Sequence, residues 1–432
     1  MKPNYINKIA KLSSGNAVGM LITLSVYTVL TRIYTDKDFG ILGLASSYYS
    51  VVAVAGTLCY EFSLVSAKND EHAYQICKFS LISSLVVAVC GSVFLLGLIK
   101  FEYLGFGNLG LAFVIPITLT VLAQSISSIF RYLQLRFNDI EGLSKLPIYQ
   151  NATRITTQLS LGYFGINGLG LLLGELLSRG YMAFYSIKRV ILLKSITKRI
   201  IEKPISLTIV KEYNRFPFII LPSNLINTAV LAIQIPTITT CFGLGFAGAF
   251  NIARAAFALP LKVLGSSIAD IFHQDISTGG SPDYLHIKQT FIKTSGILLL
   301  IGFPLSIISI NYAEGIFAFV FGDSWRTAGD LASIITPWAL GQFVVGSISR
   351  TVFVLDMKGL KLIYDISSFL LILMIPFLKN NTDLTPREIT GVYASLSALA
   401  YILYYCVMLT IVHVYNKKYT RLTLHKKSCN WS

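Results

Sequence analysis

Twelve apolar stretches, each about long enough to cross a bilayer, run the length of this chain, and nothing else in it constrains the fold as strongly. A hydrocarbon core of about 30 Å takes about 20 helical residues to span. The windows 13–33, 39–65, 77–99, 109–130, 145–165 and 168–187 meet that length, as do 213–235, 243–265, 291–310, 328–349, 361–378 and 391–413. In lipid the backbone has to satisfy its own hydrogen bonds, so spans this apolar are expected to be helices. The fold class expected is therefore all-α, a polytopic membrane protein of about twelve transmembrane helices.

Composition agrees. Hydrophobic residues make up 54% of the sequence, charged residues 13%, and mean hydropathy is +0.65, against roughly 25% charge in soluble domains. The first window follows Lys2, Lys8 and Lys11 as a signal sequence would. It runs too long and lacks a small-residue cleavage site, so it reads as a retained helix.

The formal net charge of +15 raises nucleic acid as a partner, but the position of the charges matters more than their sum. With the N-terminus in the cytoplasm, the alternating loops place Lys2, Lys8 and Lys11, the run from Lys188 to Arg215 and the run from Lys417 to Lys427 inside. Arg32, Lys37, Lys100, Arg326, Lys379 and Arg387 fall outside. That is the positive-inside bias; it accounts for the charge without nucleic acid and places both termini in the cytoplasm. The six cysteines contain no CxxC and the five histidines no HExxH, so neither a metal site nor a cofactor is expected.

Four segments are expected: an N-terminal lobe of helices one to six (1–187), a basic cytoplasmic linker (188–212), a C-terminal lobe of helices seven to twelve (213–416) and a basic cytoplasmic tail (417–432). In the linker Val190, Leu193, Ile200 and Ile201 alternate with Lys194, Lys198, Arg199 and Lys203. An amphipathic helix on the anionic inner leaflet and a solvated linker both fit that pattern. An internal repeat supports the two lobes: Thr31–Ser46 can be laid over Thr239–Arg254, which sets Gly40 on Gly248, each after an aromatic-containing turn. Many secondary transporters are built from such halves, with the substrate site between them. Gly243, Gly245 and Gly248 also fit GxGxxG, but with no βαβ unit around them they read as helix packing by small residues, as do Gly170 and Gly174.

Intramembrane charges are the informative residues, since one at mid-bilayer costs at least about 2.5 kcal/mol. Arg154, Glu175, Arg179 and Arg254 all lie well inside their windows. Glu175 and Arg179, spaced i, i+4, can neutralise each other, and Arg154 on the neighbouring helix can join them in a structural cluster. Arg254 has no acidic residue at pairing distance on its own helix; Asn251 lies one turn earlier on the same face. Helix seven carries Asn224, Asn227 and Gln234 as one polar stripe, helix one Ser25, Thr28 and Arg32, and helix two Ser46, Ser50, Thr57 and Glu61. Stripes on helices one, two, seven and eight would line a wet cavity between the halves, although each taken singly is also explained by interhelical hydrogen bonding.

A resemblance rests on specific segments. Leu12-Ser13-Ser14-Gly15-Asn16, Leu30-Thr31-Arg32-Ile33-Tyr34-Thr35, Asp38-Phe39-Gly40-Ile41-Leu42 and Tyr60-Glu61 resemble the opening of the polysaccharide transporters that include Wzx-type O-antigen flippases. Gly168-Leu169-Gly170-Leu171-Leu172-Leu173-Gly174 resembles that family's helix six, and Gly248 with Leu259-Pro260-Leu261 its helix eight. The resemblance implies the multidrug, oligosaccharidyl-lipid and polysaccharide exporter superfamily, in which two six-helix lobes surround a central cavity.

It also implies a function: moving an undecaprenyl-pyrophosphate-linked oligosaccharide, an O-antigen or related repeat unit, across the bacterial inner membrane by alternating access, with no covalent step. Partners would be that lipid-linked substrate, membrane lipids and other polysaccharide-assembly proteins. By position Arg254 and Arg32 would hold the pyrophosphate, with membrane-edge anchoring the other reading of Arg32. Asn224, Asn227, Gln234 and Asn251 would meet the sugar, and Glu61 would couple an ion or pair structurally. A drug or metabolite antiporter of the same superfamily is the alternative, though it would favour an acidic cavity. A membrane-embedded polysaccharide polymerase is the alternative from the enzyme class, but here the outer loops are short.

Overall fold

The computed structural model describes residues 26–194, 206–260, 268, 284–349, 351 and 358–429. Lys2, Lys8, Lys11, Leu12–Asn16, Ser25, Lys198 to Lys203 and Leu261 lie outside the described residues. Among those described there is no strand. Residues 26–33 form the described part of α1. It is followed by α2 (Asp36–Gly56), α3 (Asp70–Lys100), α4 (Val114–Arg136), α5 (Ile140–Tyr163), α6 (Asn167–Lys194), α7 (Leu221–Ala232), α8 (Gln234–Pro260), α9 (Tyr284–Phe321), α10 (Arg326–Ile348), α11 (Lys358–Asn381) and α12 (Pro386–Cys429).

Among the described residues, eight stretches are long and apolar enough to cross a membrane. One of them, Phe216–Phe257, has 42 residues and would measure about 63 Å as a single helix, twice the hydrocarbon thickness. It breaks at Gly243, where φ +85° and ψ 172° leave the helical region. Residues 234–242 therefore complete the seventh span, and the eighth begins after the glycine. The α5 and α6 helices are long enough, but Arg154, Glu175 and Arg179 lower their apolarity. Counting these two, α1 and both halves of the broken stretch, the spans correspond to the twelve windows.

Helix starts follow local chemistry. Thr35 and Asp38 form a reciprocal capping box at α2: the Asp38 Oδ2 accepts from the Thr35 N–H at 2.9 Å and hydroxyl at 2.7 Å, and the Asp38 N–H donates to Thr35 Oγ1 at 3.3 Å. Asn69 caps α3 through the His72 N–H at 2.8 Å. Hydroxyls inside spans turn back on their own helices, as Thr118 does to the Val114 carbonyl (2.8 Å) and Ser295 to that of Phe291 (2.7 Å). That is how they avoid being orphaned in lipid.

The chain divides into two compact units, Met1–Ile252 with Val320–Trp325, and Ala253–Phe319 with Arg326–Ser432. In the first, α6 packs on α4 and α5, while α2 packs on α4, α6 and α7. Of the stretch expected as a linker, 188–194 continue α6, and Leu207–Glu212 is a short helix whose Val210, with the adjoining Tyr213, is buried against Tyr60, Leu64 and Tyr74. In the second unit α12 packs on α10 and α11, around Phe291, Phe343, Tyr404 and Met408.

Within the first unit α2 crosses the start of the eighth span at backbone distance. A Cβ on Gly40 would collide with the Leu244 carbonyl, and one on Gly248 with the Asp36 carbonyl. A Cβ on Gly43 would lie 3.2 Å from Asn251 Nδ2. Superposing Gly40 on Gly248 also sets Asp36 on Leu244 and Gly43 on Asn251, so the crossing is reciprocal: each glycine meets the counterpart of its own counterpart's neighbour. Beside it Trp325 is fully buried, with its ring edge-on to Phe39 (centroids 5.3 Å apart) and its Nε1–H donating to the Thr31 carbonyl at 2.8 Å.

Candidate functional site

Three intramembrane charges come together at the seam of α5 and α6. Glu175 is buried, and Arg179, one turn on, donates to its Oε2 at 3.0 Å, while Arg154 reaches Oε1 from α5 at 3.4 Å. Arg179 also donates to the Tyr49 hydroxyl at 3.0 Å, lies over the Tyr49 ring at 4.7 Å and contacts the Gln124 side-chain oxygen. Arg154 donates to the Asn151 oxygen at 2.8 Å. Four helices, α2, α4, α5 and α6, thus contribute to one polar knot, consistent with the high cost of breaking a buried pair; of the Arg179 nitrogens only Nε has no partner among the described residues.

A second polar region lies where α2 stops. After Gly56 the backbone takes two successive left-handed residues, Leu58 (φ 51°) and Cys59 (φ 61°), neither of them glycine. It then resumes as the short helix Glu61–Ser66. Such residues cost of order 1–3 kcal/mol each and persist where surroundings enforce them. The break lets the Thr57 hydroxyl donate to the buried Glu61 carboxylate. No cation lies within ion-pairing distance of Glu61 among the described residues; Arg131 of α4 acts on it electrostatically from further away.

The α7 stripe reaches the same break. Half-buried Asn224 donates to Cys59 Sγ at 3.7 Å, a weak acceptor. Asn227 is exposed. Gln234 is buried, yet its Oε1 has no partner among the described residues. Asn251 lies at the α2 crossing, its Nδ2 3.4 Å from the Phe39 carbonyl. Arg32 is exposed at the end of α1. Arg254 belongs to the second unit, half-buried, where Tyr393 of α12 is one of its electrostatic neighbours. Glu61, Asn224 and the α2 break are brought together; Arg32 and Arg254 are described apart from them.

Outside the spans, Asp139 caps α5 and is held by Arg189, whose Nε donates to Oδ2 at 2.9 Å, by Gln134 at 3.0 Å and by the Gly142 N–H at 3.0 Å. Burial opposes ionisation of this carboxyl, but the Arg189, Gly142 and Gln134 bonds outweigh it and hold it below the usual carboxylate range. Arg136 likewise binds Asp70 at 3.0 Å and the Leu64 and Ala67 carbonyls at 2.9 Å. No three histidine, cysteine or carboxylate side chains cluster among the described residues.

Sequence reasoning missed Tyr49, Gln124 and Asn151 in the charge knot, and Arg131 beside Glu61. A glutamine inside the 109–130 window was the available signal for Gln124. Arg131 fell one residue beyond that window.

The polysaccharide biosynthesis protein family model matches residues 29–330, more than half of the chain. The chain belongs to that family. No curated protein matches it significantly. Among solved structures, the inward-facing conformation of a multidrug resistance MATE family transporter of the MOP superfamily is similar at a TM-score of 0.68 and 14% identity, covering 93% of this chain and 99% of that one. The lipid II flippase MurJ in its inward closed conformation is similar at a TM-score of 0.70 and 12% identity, covering 94% and 87%. At these identities the likeness is one of fold, and that fold is the one the family shares with membrane transporters and flippases.

Proposed function

We propose that this chain moves an undecaprenyl-pyrophosphate-linked oligosaccharide, an O-antigen or related repeat unit, across the bacterial inner membrane by alternating access. Two lobes, 1–187 and 213–416, work about a central cavity, and both termini face the cytoplasm. Membership of a polysaccharide biosynthesis family supports a lipid-linked glycan over a drug; the fold, shared with both a lipid II flippase and a multidrug transporter, is compatible with either. The observation that carries the reading is the α7 stripe. Among the described residues Asn224 meets only a thiol as acceptor and Gln234 keeps an orphan oxygen, while Asn227 is exposed; these are amide groups suited to sugar hydroxyls. Arg254 and Arg32 would attract the pyrophosphate, Asn251 would add a donor, and Glu61 would carry a coupling ion. Arg154, Glu175 and Arg179 hold the helices together. No covalent chemistry is required.

Deleting the gene tests the reading directly. Lipid-linked repeat units should accumulate on the cytoplasmic leaflet, and their normal appearance outside would overturn it. Arg254→Ala should leave membrane abundance near normal yet abolish glycan export, with Arg254→Lys retaining part, because a point cation still attracts phosphate without the bidentate fork. Reporter fusions after Lys203 and Ser428 should both read cytoplasmic.

A further inference from the structure

A patch on the outer surface of α5 and α6 has no part in the polar stripes or the charge knot. Tyr149 of α5 meets Tyr185 of α6 at 5.3 Å and Tyr181 at 6.1 Å between ring centroids, and Tyr181 stacks on Tyr185 at 6.5 Å. Tyr149 and Tyr181 are each 37% exposed, so the rings form a surface. No protein group lies within hydrogen-bond distance of the three phenol hydroxyls among the described residues. Tyr181 and Arg179, two positions apart, project to opposite sides of α6, so the patch turns away from the interior knot. Exposed Leu177 and Phe184 flank it on the same face.

At the helix ends the patch is rimmed by cations. Lys188 follows Tyr181 and Tyr185 at i+7 and i+3 on their face, exposed and without an ion-pair partner among the described residues. Lys145 stands one turn before Tyr149, its side chain 46% exposed and its ammonium 2.6 Å from Glu141. Along α6 the backbones of Tyr185 and Tyr181 lie about 5–10 Å from the level of Lys188, on the scale of the step from phosphate to the upper acyl chain. Interfacial tyrosines usually anchor a helix one at a time. Here three touch, across two helices, between an apolar strip and two ammonium groups.

We propose that this seam binds one anionic glycerophospholipid. Its phosphate would sit at Lys188 and Lys145, its glycerol ester region at the three hydroxyls, and an acyl chain along Leu177 and Phe184. The site does not depend on the transport reading, and it holds for either orientation of the chain in the membrane.

The test uses the full-length protein in neutral detergent micelles, titrated with phosphatidylglycerol, phosphatidylcholine or a polyprenyl diphosphate while the melting temperature is followed. Phosphatidylglycerol should raise the melting temperature saturably and phosphatidylcholine should not. Lys188→Gln should weaken the phosphatidylglycerol effect about fivefold. Tyr181→Phe, which removes one hydroxyl and keeps the ring, should weaken it less while melting normally without lipid. Equal stabilisation by both phospholipids, an unchanged response in Lys188→Gln, or a response to the polyprenyl diphosphate alone would overturn the proposal. The last result would assign the seam to cargo instead.

Discussion

Glu175 and Gln234 are both polar, both buried and both part of the first compact unit, but their surroundings are opposite. Around Glu175 two guanidinium groups close on one carboxylate, with Tyr49, Gln124 and Asn151 taking up much of what remains. Around Gln234 an oxygen is left without a partner among the described residues, and of the two asparagines of the same stripe Asn224 makes one weak contact, to Cys59. A polar group in lipid that has spent its bonding capacity holds helices in place. One that has not is costly to the fold by itself and is repaid only when something else binds. In the proposed function the charge knot between α5 and α6 is structure, and the Asn224–Asn227–Gln234 stripe is capacity held in reserve.

The largest effect that could break this contrast is at Glu175. Glu175→Ala leaves two arginines facing each other without a counter-charge, an expected loss of about 3–5 kcal/mol, and membrane abundance should collapse. Exchanging Glu175 with Arg179 should not restore it, because the new arginine would face Arg154; normal abundance in the exchanged protein would show that the knot is not shared by three charges.

Two buried glutamines make a finer comparison. Gln158 donates to the Leu171 carbonyl at 2.9 Å, so Gln158→Leu should lower thermal stability by about 1 kcal/mol. Gln234→Leu removes an unsatisfied oxygen and should leave melting unchanged or raised, while export falls. Equal destabilisation in the two variants would erase the distinction. Next, Asn224→Ala with Asn227→Ala should reduce glycan export about tenfold at constant abundance, a change of about 1.4 kcal/mol, measured as surface polysaccharide per unit of membrane protein.

The smallest effect concerns Asp139. Its native carboxyl is held below the usual range, so its contribution to stability is complete above the ordinary titration near about pH 4. It is lost as pH falls through the lowered native value. Melting curves taken down to about pH 3 should show Asp139→Asn converging on the unmodified protein at the acid end; a constant gap would remove the ion pair from the account.

The spans were legible because hydropathy is a sum over about twenty residues and tolerates local error. The pairing of Glu175 with Arg179 was legible because an i, i+4 spacing fixes geometry in any helix. Tyr49 and Gln124 were not, since they reach Arg179 from helices 130 and 55 positions away. The break after Gly56 was hidden for another reason. Leu58 and Cys59 carry no turn signal, and their left-handed backbone comes from tertiary packing. Gly243 did carry one, and the gap between windows 213–235 and 243–265 fell beside it. Arg254 stood out in the sequence for lying inside its window without an acidic residue on its helix, while Tyr393, one of its electrostatic neighbours, comes from α12.

The reciprocal crossing of Gly40 and Gly248 constrains how this chain can change over time. A contact in which like meets like in exchanged register is the geometry of a two-fold interface between identical copies. There, one substitution alters both sides at once. Joined in one chain, the two sides need not match, and they do not: the Thr35–Asp38 cap opens α2, while the second segment places Gly243 where Thr35 stands. Apart from the long Asn251–Phe39 hydrogen bond, the contact at the two glycines is steric. Enlarging residue 40 asks for room at 244, and enlarging residue 248 asks for it at 36, so compensating changes should travel in those two pairs, not between the glycines themselves.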